Sequence, residues 1–396
     1  MAKLEFKDLT FEERQDEIII TFLRLFYFTV DKKDLKKIGD FTVSKHEITF
    51  KNIGENKANK KFNNLLSKGF NILKNRLTDK KAVYIHQNSG IPLIGSISFG
   101  LIDRNTSIIE IKPITSCNLD CTYCSVDQNK RLVDFVVEEE YLVNELKKLI
   151  EFKAANNIEA HIASQGEPTL YEPLSELVRN ISKIPQITTI SIDTNGTLLT
   201  KDKVDELIQA GLTRFNLSIN ALDQGLAKSI ANGPYNINKI KEIARYIAKR
   251  SNLIITPVLI PGVNEKEMPK LVEFAKNIKA DIGIQNLFNY RLGKNPVKEM
   301  PFNLFLSKLK SWETQYNIKL IKTEQDFNIK KTKPLPKPFR KREVVKADIV
   351  GPGRFKNEKI AVSKQRTISI PNCYKKGQAK IRITRTKHNI FIGELV

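Results

Sequence analysis

Short apolar runs and amphipathic segments alternate along the middle of the chain. The apolar runs are rich in isoleucine on consecutive positions, as is typical of strands that helices cover on both faces. The segments between them repeat apolar residues at helical spacing. Strands that alternate with helices predict right-handed crossovers and a parallel sheet. The six predicted strands are 107–114, 159–164, 188–194, 214–220, 253–260 and 282–288.

The fold class that follows is α/β. Six units are too few for a closed eight-stranded barrel, so we predict an open, partial (β/α)6 barrel over residues 105–325, with its chemistry at the carboxyl ends of the strands. Residues 1–104 are predicted to be an accessory α+β region. There, DEIIITFLRLFYF has a helical pattern, DFTVSKHEITFKN alternates like strands, and ENKANKKFNN is predicted to be a polar loop.

The pattern changes after residue 325. Residues 326–338 are predicted to be a linker, because prolines and lysines dominate this part of the chain. Residues 339–396 contain five short strand-like runs and no helical segment. This spacing predicts a small OB-like β-barrel.

Charge is concentrated in the same C-terminal part. The formal net charge is +22, and residues 331–396 hold 18 Lys and Arg against four acidic residues, a net +14. A lysine-rich proteome would spread its charge evenly, so a polyanionic partner such as RNA is indicated. No run of eighteen apolar residues occurs and the start does not resemble a secretory signal. We therefore expect a cytoplasmic protein without a membrane partner.

Three of the four cysteines form one motif, Cys-x3-Cys-x2-Cys, at Cys117, Cys121 and Cys124. The motif begins three residues after the first predicted strand. Three thiolates on a four-iron cubane would leave one iron open for a reactive ligand. A zinc site completed by a histidine is the alternative, yet the motif holds no histidine and His161 is the only one in the alternating region. The distant Cys373 is interpreted as an incidental thiol.

With Tyr123 directly before its last cysteine, the motif resembles the signature of the radical S-adenosylmethionine (SAM) superfamily. The resemblance implies that Cys117, Cys121 and Cys124 hold a [4Fe–4S] cluster and that SAM chelates the open iron. It further implies that the reduced cluster cleaves SAM and that a 5′-deoxyadenosyl radical takes a hydrogen atom from substrate. A one-electron donor such as ferredoxin or flavodoxin is then expected as a partner.

Other stretches resemble the cofactor-binding motifs of this family. SQGEP, residues 164–168, is similar to GGEP, with Gln165 in place of the first glycine. VLIPGVNE, residues 258–265, is similar to GxIxGxxE, with Val258 in place of the first glycine. The resemblance would place Ile260 on adenine, whereas ordinary turns or helix caps are the alternatives at several other positions. The cofactor-binding candidates are Tyr123, Gly166, Glu167, Pro168, Asn195, Ser218, Asn220, Ile260 and Gly262.

The C-terminal segment resembles a TRAM domain, a small RNA-binding barrel, and the whole chain resembles archaeal members of the superfamily. Radical enzymes with this domain include tRNA methylthiotransferases, which carry further cysteines before the radical domain, but residues 1–104 contain none. We expect a single-cluster enzyme that modifies RNA, with tRNA as the favoured class. The alternatives are a protein or small-metabolite substrate with the barrel as a docking module, or a cluster that only stabilises an RNA-binding protein. The sequence assigns no catalytic residue.

Overall fold

Two β-sheets and one long helix make up the N-terminal region. The computed structural model describes all 396 residues. Strands β5 and β6 form a hairpin in a three-stranded sheet with β1, which confirms the alternating pattern predicted there. The elements are β1 (Ala2–Glu5), β2 (Leu9–Glu13), β3 (Glu17–Phe22), β4 (Phe26–Asp31), α1 (Lys32–Lys36), β5 (Phe41–Ser44), β6 (Glu47–Phe50), α2 (Glu55–Asn71), β7 (Lys74–Asn75) and β8 (Lys81–Ile85).

Two predictions for this region were wrong. The apolar segment predicted as a helix forms β3 and β4, joined by a turn in which Leu23 and Arg24 have φ of 48° and 57°. Five consecutive residues of β3 are buried, and a strand covered on both faces gives the same apolar run as a buried helix. The predicted polar loop instead opens α2, which buries Ala58, Phe62 and Leu66 as a narrow stripe on a polar helix.

A seven-stranded sheet forms the centre of the protein, in the order β9-β10-β12-β13-β14-β15-β17. All neighbours are parallel except β9 and β10, which confirms six parallel strands in sequence order. The predicted strands 253–260 and 282–288 are each divided in two, and their later parts, β16 and β18, pair in a separate two-stranded sheet. The elements are β9 (Gly100–Asp103), β10 (Ile108–Lys112), β11 (Val133–Val137), α3 (Glu139–Lys153), β12 (Ile158–Ile162), α4 (Leu174–Ser182), β13 (Ile187–Thr194), α5 (Lys201–Ala210), β14 (Arg214–Leu217), α6 (Gln224–Ala231), α7 (Ile237–Ala248), β15 (Asn252–Ile255), β16 (Val258–Leu259), α8 (Met268–Asn277), β17 (Asp281–Ile282), β18 (Gln285–Asn286) and α9 (Phe302–Tyr316).

The N-terminal region and the central sheet share one hydrophobic core of 86 buried residues. Strand β9 pairs with β10 of the central sheet, while β11, which follows the cysteine loop, pairs with β8 of the N-terminal sheet. The cysteine loop is therefore anchored in one sheet at its start and in the other at its end. No helix combines the length and apolar character that crossing a membrane requires.

The C-terminal segment forms a closed five-stranded barrel in the order β19-β20-β21-β23-β22, which confirms the five predicted strands. It has a separate core of 11 buried residues that includes Phe339, Cys373 and Phe391. The side chain of Cys373 thus packs inside the barrel. The strands are β19 (Val344–Pro352), β20 (Lys359–Ser363), β21 (Arg366–Ile370), β22 (Gly377–Arg385) and β23 (Ile392–Leu395).

Backbone hydrogen bonds attach this barrel to the rest of the chain. Thr367 N donates to Ile94 O at 3.0 Å, and Phe391 N donates to Gly95 O at 2.9 Å. Gly95 has a φ of 131°, and a Cβ there would lie 2.0 Å from Thr367 O, so only glycine allows this approach. The Pro- and Lys-rich connector is also bonded to the core, since Thr332 N donates to Asn105 O at 3.0 Å.

Candidate active site

The loop between β10 and β11 carries Cys117, Cys121 and Cys124, all partly buried and none in a disulfide. Burial is the main reason that the pKa of Cys117 and that of Cys121 both rise to about 12. The neighbouring thiols of the motif raise the pKa of Cys121 further. Without a bound cation these groups are thiols at neutral pH, and binding a metal would require them to release protons.

Residues 290–294 hold the far side of the cysteine loop. Lys294 N donates to Cys124 O at 2.8 Å, and Lys294 Nζ lies 2.5 Å from Asp120 Oδ1. A Cβ on Gly293 would lie 3.0 Å from the carbonyl oxygen of Cys124, so the two backbones pack closely. These contacts within the chain therefore hold the course of the loop.

The SQGEP segment approaches the cysteine loop through Gly166. A Cβ at this position would lie 2.2 Å from Ser116 O, and the next amide, Glu167 N, donates to the same oxygen at 2.8 Å. No other residue permits this approach without moving backbone. Gln165, which replaces the first glycine of GGEP, lies one position earlier and does not make this contact.

The Glu167 carboxylate joins the ends of β12 and β13. It is 2% exposed and accepts hydrogen bonds from Thr194 Oγ1 at 2.7 Å, Asn195 N at 2.8 Å and Thr169 Oγ1 at 2.6 Å. Burial raises the pKa of Glu167 above its usual value, and these donors partly oppose the rise. The next residue, Pro168, is buried and begins a single 3-10 turn. The carboxylate is thus held in one orientation.

Five predicted site residues meet around one small cavity. Asn195, Ser218 and Asn220, from the ends of β13 and β14, line it together with Cys121 and Tyr123. Asn220 Nδ2 donates to the Tyr123 hydroxyl at 2.8 Å, and Asn220 Oδ1 accepts from Val258 N at 2.8 Å. Ser218 and Asn220 therefore share one face, as strand alternation predicts.

The remaining two candidates lie farther along the chain. Ile260 is fully buried and has no exposed surface, so its predicted contact with adenine stays a prediction. Gly262 has a φ of 73°, and its amide donates to Glu265 Oε2 at 2.9 Å. Glu265 thereby closes the turn after β16.

Residues 111–275 match the family model of the Radical SAM superfamily. An uncharacterised protein of Methanocaldococcus jannaschii is 39% identical over 82% of this chain and 83% of its own length. The chain belongs to the radical SAM superfamily. The GTP 3′,8-cyclase of Chlorobaculum tepidum is also similar to this radical SAM protein, at 31% identity over 48% of the chain and 56% of the cyclase.

Two solved structures show weaker similarity. TYW1 with a bound lysine–pyruvate adduct is 20% identical, with a TM-score of 0.43 over 58% of this chain and 80% of that one. SuiB of Streptococcus suis bound to S-adenosylmethionine is 16% identical, with a TM-score of 0.44 over 80% of this chain and 71% of that one. The cofactors of the family are a [4Fe–4S] cluster and SAM.

The residues of this radical SAM protein fit both cofactors. No three His, Cys, Asp or Glu side chains converge on a point that could hold a single metal ion. A cubane places its thiolate ligands around a four-iron cube, and three soft sulfur donors on one loop match that requirement. The cavity beside Cys121 lies next to these sulfurs, is small and mostly apolar, and includes the Ser218 hydroxyl and the Asn195 and Asn220 amides among its polar groups. Such groups suit the polar parts of SAM.

One buried polar cluster next to the site was missed in the sequence. Arg131, 1% exposed, forms an ion pair with Asp134 at 2.9 Å, and its Nη1 donates to Gln165 O at 3.1 Å. Arg354 of the C-terminal barrel donates to the Gln165 side chain. The only sequence signal was the departure from GGEP at position 165.

A second missed network lies on the inner face of the parallel strands. Ser191 Oγ donates to Glu159 Oε1 at 2.7 Å and lies 2.7 Å from His161 Nδ1, and Arg214 pairs with Glu159. Asn216 Nδ2 donates to Asp193 Oδ1 at 2.9 Å. Polar residues at alternate positions of three otherwise apolar strands were the signal that could have revealed this network.

The same inner face borders an open cavity. A cavity of about 450 Å³ lies between the polar side chains of His161, Arg214 and Asn216 and an apolar wall. Phe305 of α9 and Phe327 contribute to that wall. The radical SAM domain therefore has room for a small molecule or for one part of a larger one.

Proposed function

We propose that this radical SAM enzyme modifies RNA, with tRNA as the class of substrate. The observation that carries the proposal is on the outer face of the C-terminal barrel, where Lys346 of β19 lies directly opposite Lys380 of β22. Both side chains are exposed. Like charges directly opposite destabilise a sheet, and a bound phosphate would relieve this repulsion.

Further exposed groups on the same barrel suit an RNA partner. Tyr374, with 74% of its surface exposed, lies on the adjoining loop and offers a ring for base stacking. Phe339 and Phe391, by contrast, are core residues of the barrel. The exposed basic residues of the barrel include Lys341, Arg342, Lys346, Lys356, Lys364, Lys375, Lys376, Lys380, Arg382 and Lys387.

In this proposal the C-terminal barrel is a TRAM-like RNA-binding domain, and the enzyme is cytoplasmic. The six parallel strands of the central sheet are the partial (β/α)6 barrel, with the reaction at their carboxyl ends. A one-electron donor of the ferredoxin or flavodoxin class serves as the reductant. When bound, the cofactors supply reductive cleavage of SAM and hydrogen-atom abstraction.

The chain's own residues bind and orient those cofactors. Cys117, Cys121 and Cys124 would hold three irons of the cluster. Gly166 would let the SQGEP backbone approach the cysteine loop, while Glu167 fixes that backbone beside the methionyl group of SAM. A further set of cavity-lining side chains would contact the rest of the cofactor, namely Asn195, Ser218 and Asn220.

The test compares charge reversal on two surfaces of the full-length, reconstituted protein. K346E/K380E should weaken binding of bulk tRNA and flatten its dependence on salt, by about one to two units in the slope of log K against log salt concentration. K57E/K60E is the matched control, because Lys57 and Lys60 are exposed on α2 and the change in net charge is the same. Affinity should be measured at several salt concentrations.

Equal effects of the two variants would show that tRNA affinity depends only on net charge. If K346E/K380E had no effect, the barrel face would not be the surface that binds tRNA. Either result contradicts the proposal. A tRNA-dependent increase in 5′-deoxyadenosine that K346E/K380E lowers and K57E/K60E preserves would support it.

The cavity beside His161 favours a second candidate, a radical SAM enzyme for a small metabolite or a protein side chain. A volume of about 450 Å³ suits a small ligand, and the polar face contains His161 and Arg214. Cofactor cleavage that stays at background with tRNA but rises with a cell extract freed of nucleic acid would favour this candidate. The barrel would then be a docking module.

A further inference from the structure

The turn between β19 and β20 reaches from the C-terminal barrel to the SAM-binding region. Arg354 in this turn is 6% exposed, and its guanidinium donates to Gln165 Oε1 of the SQGEP segment. The carbonyl oxygen of Arg354 accepts from Leu132 N at 2.7 Å, just after the cysteine loop. A bridge between Arg131 and Phe355 extends this contact. The barrel turn thus contacts both segments that surround the cofactor site.

The partners of Arg354 are unusual for a buried cation. Buried charges normally pair with a carboxylate, yet the contacts of this guanidinium are the Gln165 amide oxygen and the ring of Phe355, whose centroid is 4.9 Å away. Burial lowers the pKa of Arg354 to about 10, Glu358 opposes the change, and Arg131 adds to it. The group is still a cation at neutral pH. If this contact only stabilised the fold, an apolar residue of similar size would stabilise it without the desolvation cost of a buried charge.

Two arginines bond Gln165, one at its side chain and one at its backbone carbonyl. Arg354 bonds its side chain, and Arg131 Nη1 donates to its carbonyl oxygen at 3.1 Å. Because Gln165 directly precedes Gly166, these two bonds fix the backbone that must lie against Ser116 O. The same backbone leads into Glu167, whose amide bonds Ser116 O.

We propose that Arg354 is a positioning residue that the C-terminal barrel contributes to the SAM site. Acting through Gln165, it holds residues 164–168 against the cysteine loop. The SAM site is then complete only while the barrel turn is docked. Gln165, which replaces the first glycine of the GGEP motif, is the residue that Arg354 contacts. The proposal concerns SAM alone and stands whether or not RNA is the substrate.

The test uses R354M, Q165M and the double variant in the full-length, cluster-reconstituted protein, without RNA. R354M and Q165M should each weaken SAM binding by about tenfold or more in equilibrium dialysis. The double variant should be no weaker than the worse single variant, because both remove the same contact. R354K should restore part of the affinity by keeping a charged donor.

R366M is the matched control. Arg366 is a partly buried arginine at the start of β21, directly before Thr367, through which this strand docks. It has no contact with Gln165, so R366M should change SAM affinity by less than about twofold. A loss of similar size in R366M would mean that SAM responds to barrel docking in general, which overturns the specific role of Arg354.

Hydrogen exchange provides a readout that does not depend on turnover. In R354M the Glu167 amide should exchange faster, while the Thr367 amide, bonded to Ile94 O at 3.0 Å, stays protected. That result would show a docked barrel with a loosened SAM loop. Unchanged exchange at Glu167 together with unchanged SAM affinity would refute the proposal, and so would additive losses in the double variant. If R354M does not fold, Q165M and R354K test the same contact from both sides.

Discussion

His161 Nε2 lies 3.2 Å from Asp193 Oδ2 on the inner face of neighbouring strands β12 and β13. Asn216 Nδ2 holds the other carboxylate oxygen, and Ser191 Oγ lies 2.7 Å from the second ring nitrogen. Asp193 lies near the end of a central strand, and 49% of its side chain is exposed. His161 lines the cavity on this inner face, so the pair places a proton donor and acceptor at the edge of that cavity.

We predict that this pair makes stability depend on pH. Burial lowers the pKa of His161, but the charge of Asp193 outweighs it and the net shift is upward. Burial raises the pKa of Asp193, but His161 outweighs it and the net shift is downward. The His161 contribution is therefore complete below pH ~6.5 and is lost as pH rises through the raised pKa. The Asp193 contribution is present above pH ~4 and is lost as pH falls through the lowered pKa.

D193N should therefore lower the free energy of unfolding by roughly 1 kcal/mol at pH 6 and flatten its decline between pH 6 and 8. Denaturant unfolding at several pH values, at equal cluster content, measures both effects. D40N is the control, since Asp40 is an exposed residue of the N-terminal region. If the free energy of unfolding of D193N fell between pH 6 and 8 as steeply as that of the unchanged protein, the pair would not have this role.

G166A should damage the SAM site by steric overlap. The new Cβ would lie 2.2 Å from Ser116 O and 2.4 Å from Thr115 O, so one of the two backbones must move. We expect a loss of about 1–3 kcal/mol in stability and a clear loss of SAM affinity. G54A is the control, because a Cβ on Gly54 meets nothing within 4 Å, so only the helix N-cap preference for Gly over Ala is lost, about 0.5–1 kcal/mol. Equal effects of the two variants would show that Gly166 is not needed for the approach.

The central sheet could be predicted because its signals are local and repeated. Each strand is a short isoleucine-rich run, and each is followed by a segment with helical period, so the order of six parallel strands follows from chain order alone. The apolar run that forms β3 and β4 lacked such a context. Consecutive buried residues have the same pattern in a covered strand and in a buried helix, and only the partner strands decide between them.

Part of the candidate site could not be predicted, because it is built by contacts between residues far apart in the sequence. Arg354 and Gln165 are 189 positions apart, and each alone resembles an ordinary surface residue. Asn195, Ser218 and Asn220 could be predicted because the carboxyl ends of parallel strands meet at one edge of the sheet. The position of Ile260 could not, since a buried and a ligand-facing isoleucine have the same neighbours in sequence.

The cysteines of the motif and Cys373 should differ in whether the protein needs them to hold iron. C121A should lose most of the iron and the visible absorbance of the reconstituted protein, because it removes one of three thiolates. C373A should keep both, since Cys373 is fully buried in the separate core of the C-terminal barrel. C373A should instead lower the stability of the barrel by about 1 kcal/mol through the lost packing. Iron loss in C373A equal to that in C121A would contradict the single-motif assignment.

Ser218 and Asn220 line the same cavity but differ in how the protein uses them. The Ser218 hydroxyl forms no side-chain hydrogen bond within the chain, whereas the Asn220 side chain bonds both Tyr123 and Val258. We therefore predict that S218A weakens SAM binding by about three- to tenfold and leaves the unfolding free energy within ~0.5 kcal/mol.

N220A should weaken SAM binding and also cost about 2 kcal/mol of stability, because it leaves the buried partners of Asn220 without their hydrogen bonds. Y123F separates the two effects, since it removes the hydroxyl but keeps the ring. Equilibrium dialysis with SAM and denaturant unfolding of each variant measure the two quantities. If S218A lost stability without losing affinity, Ser218 would be part of the packing around β14, and the cavity beside Cys121 would not be the place where SAM binds.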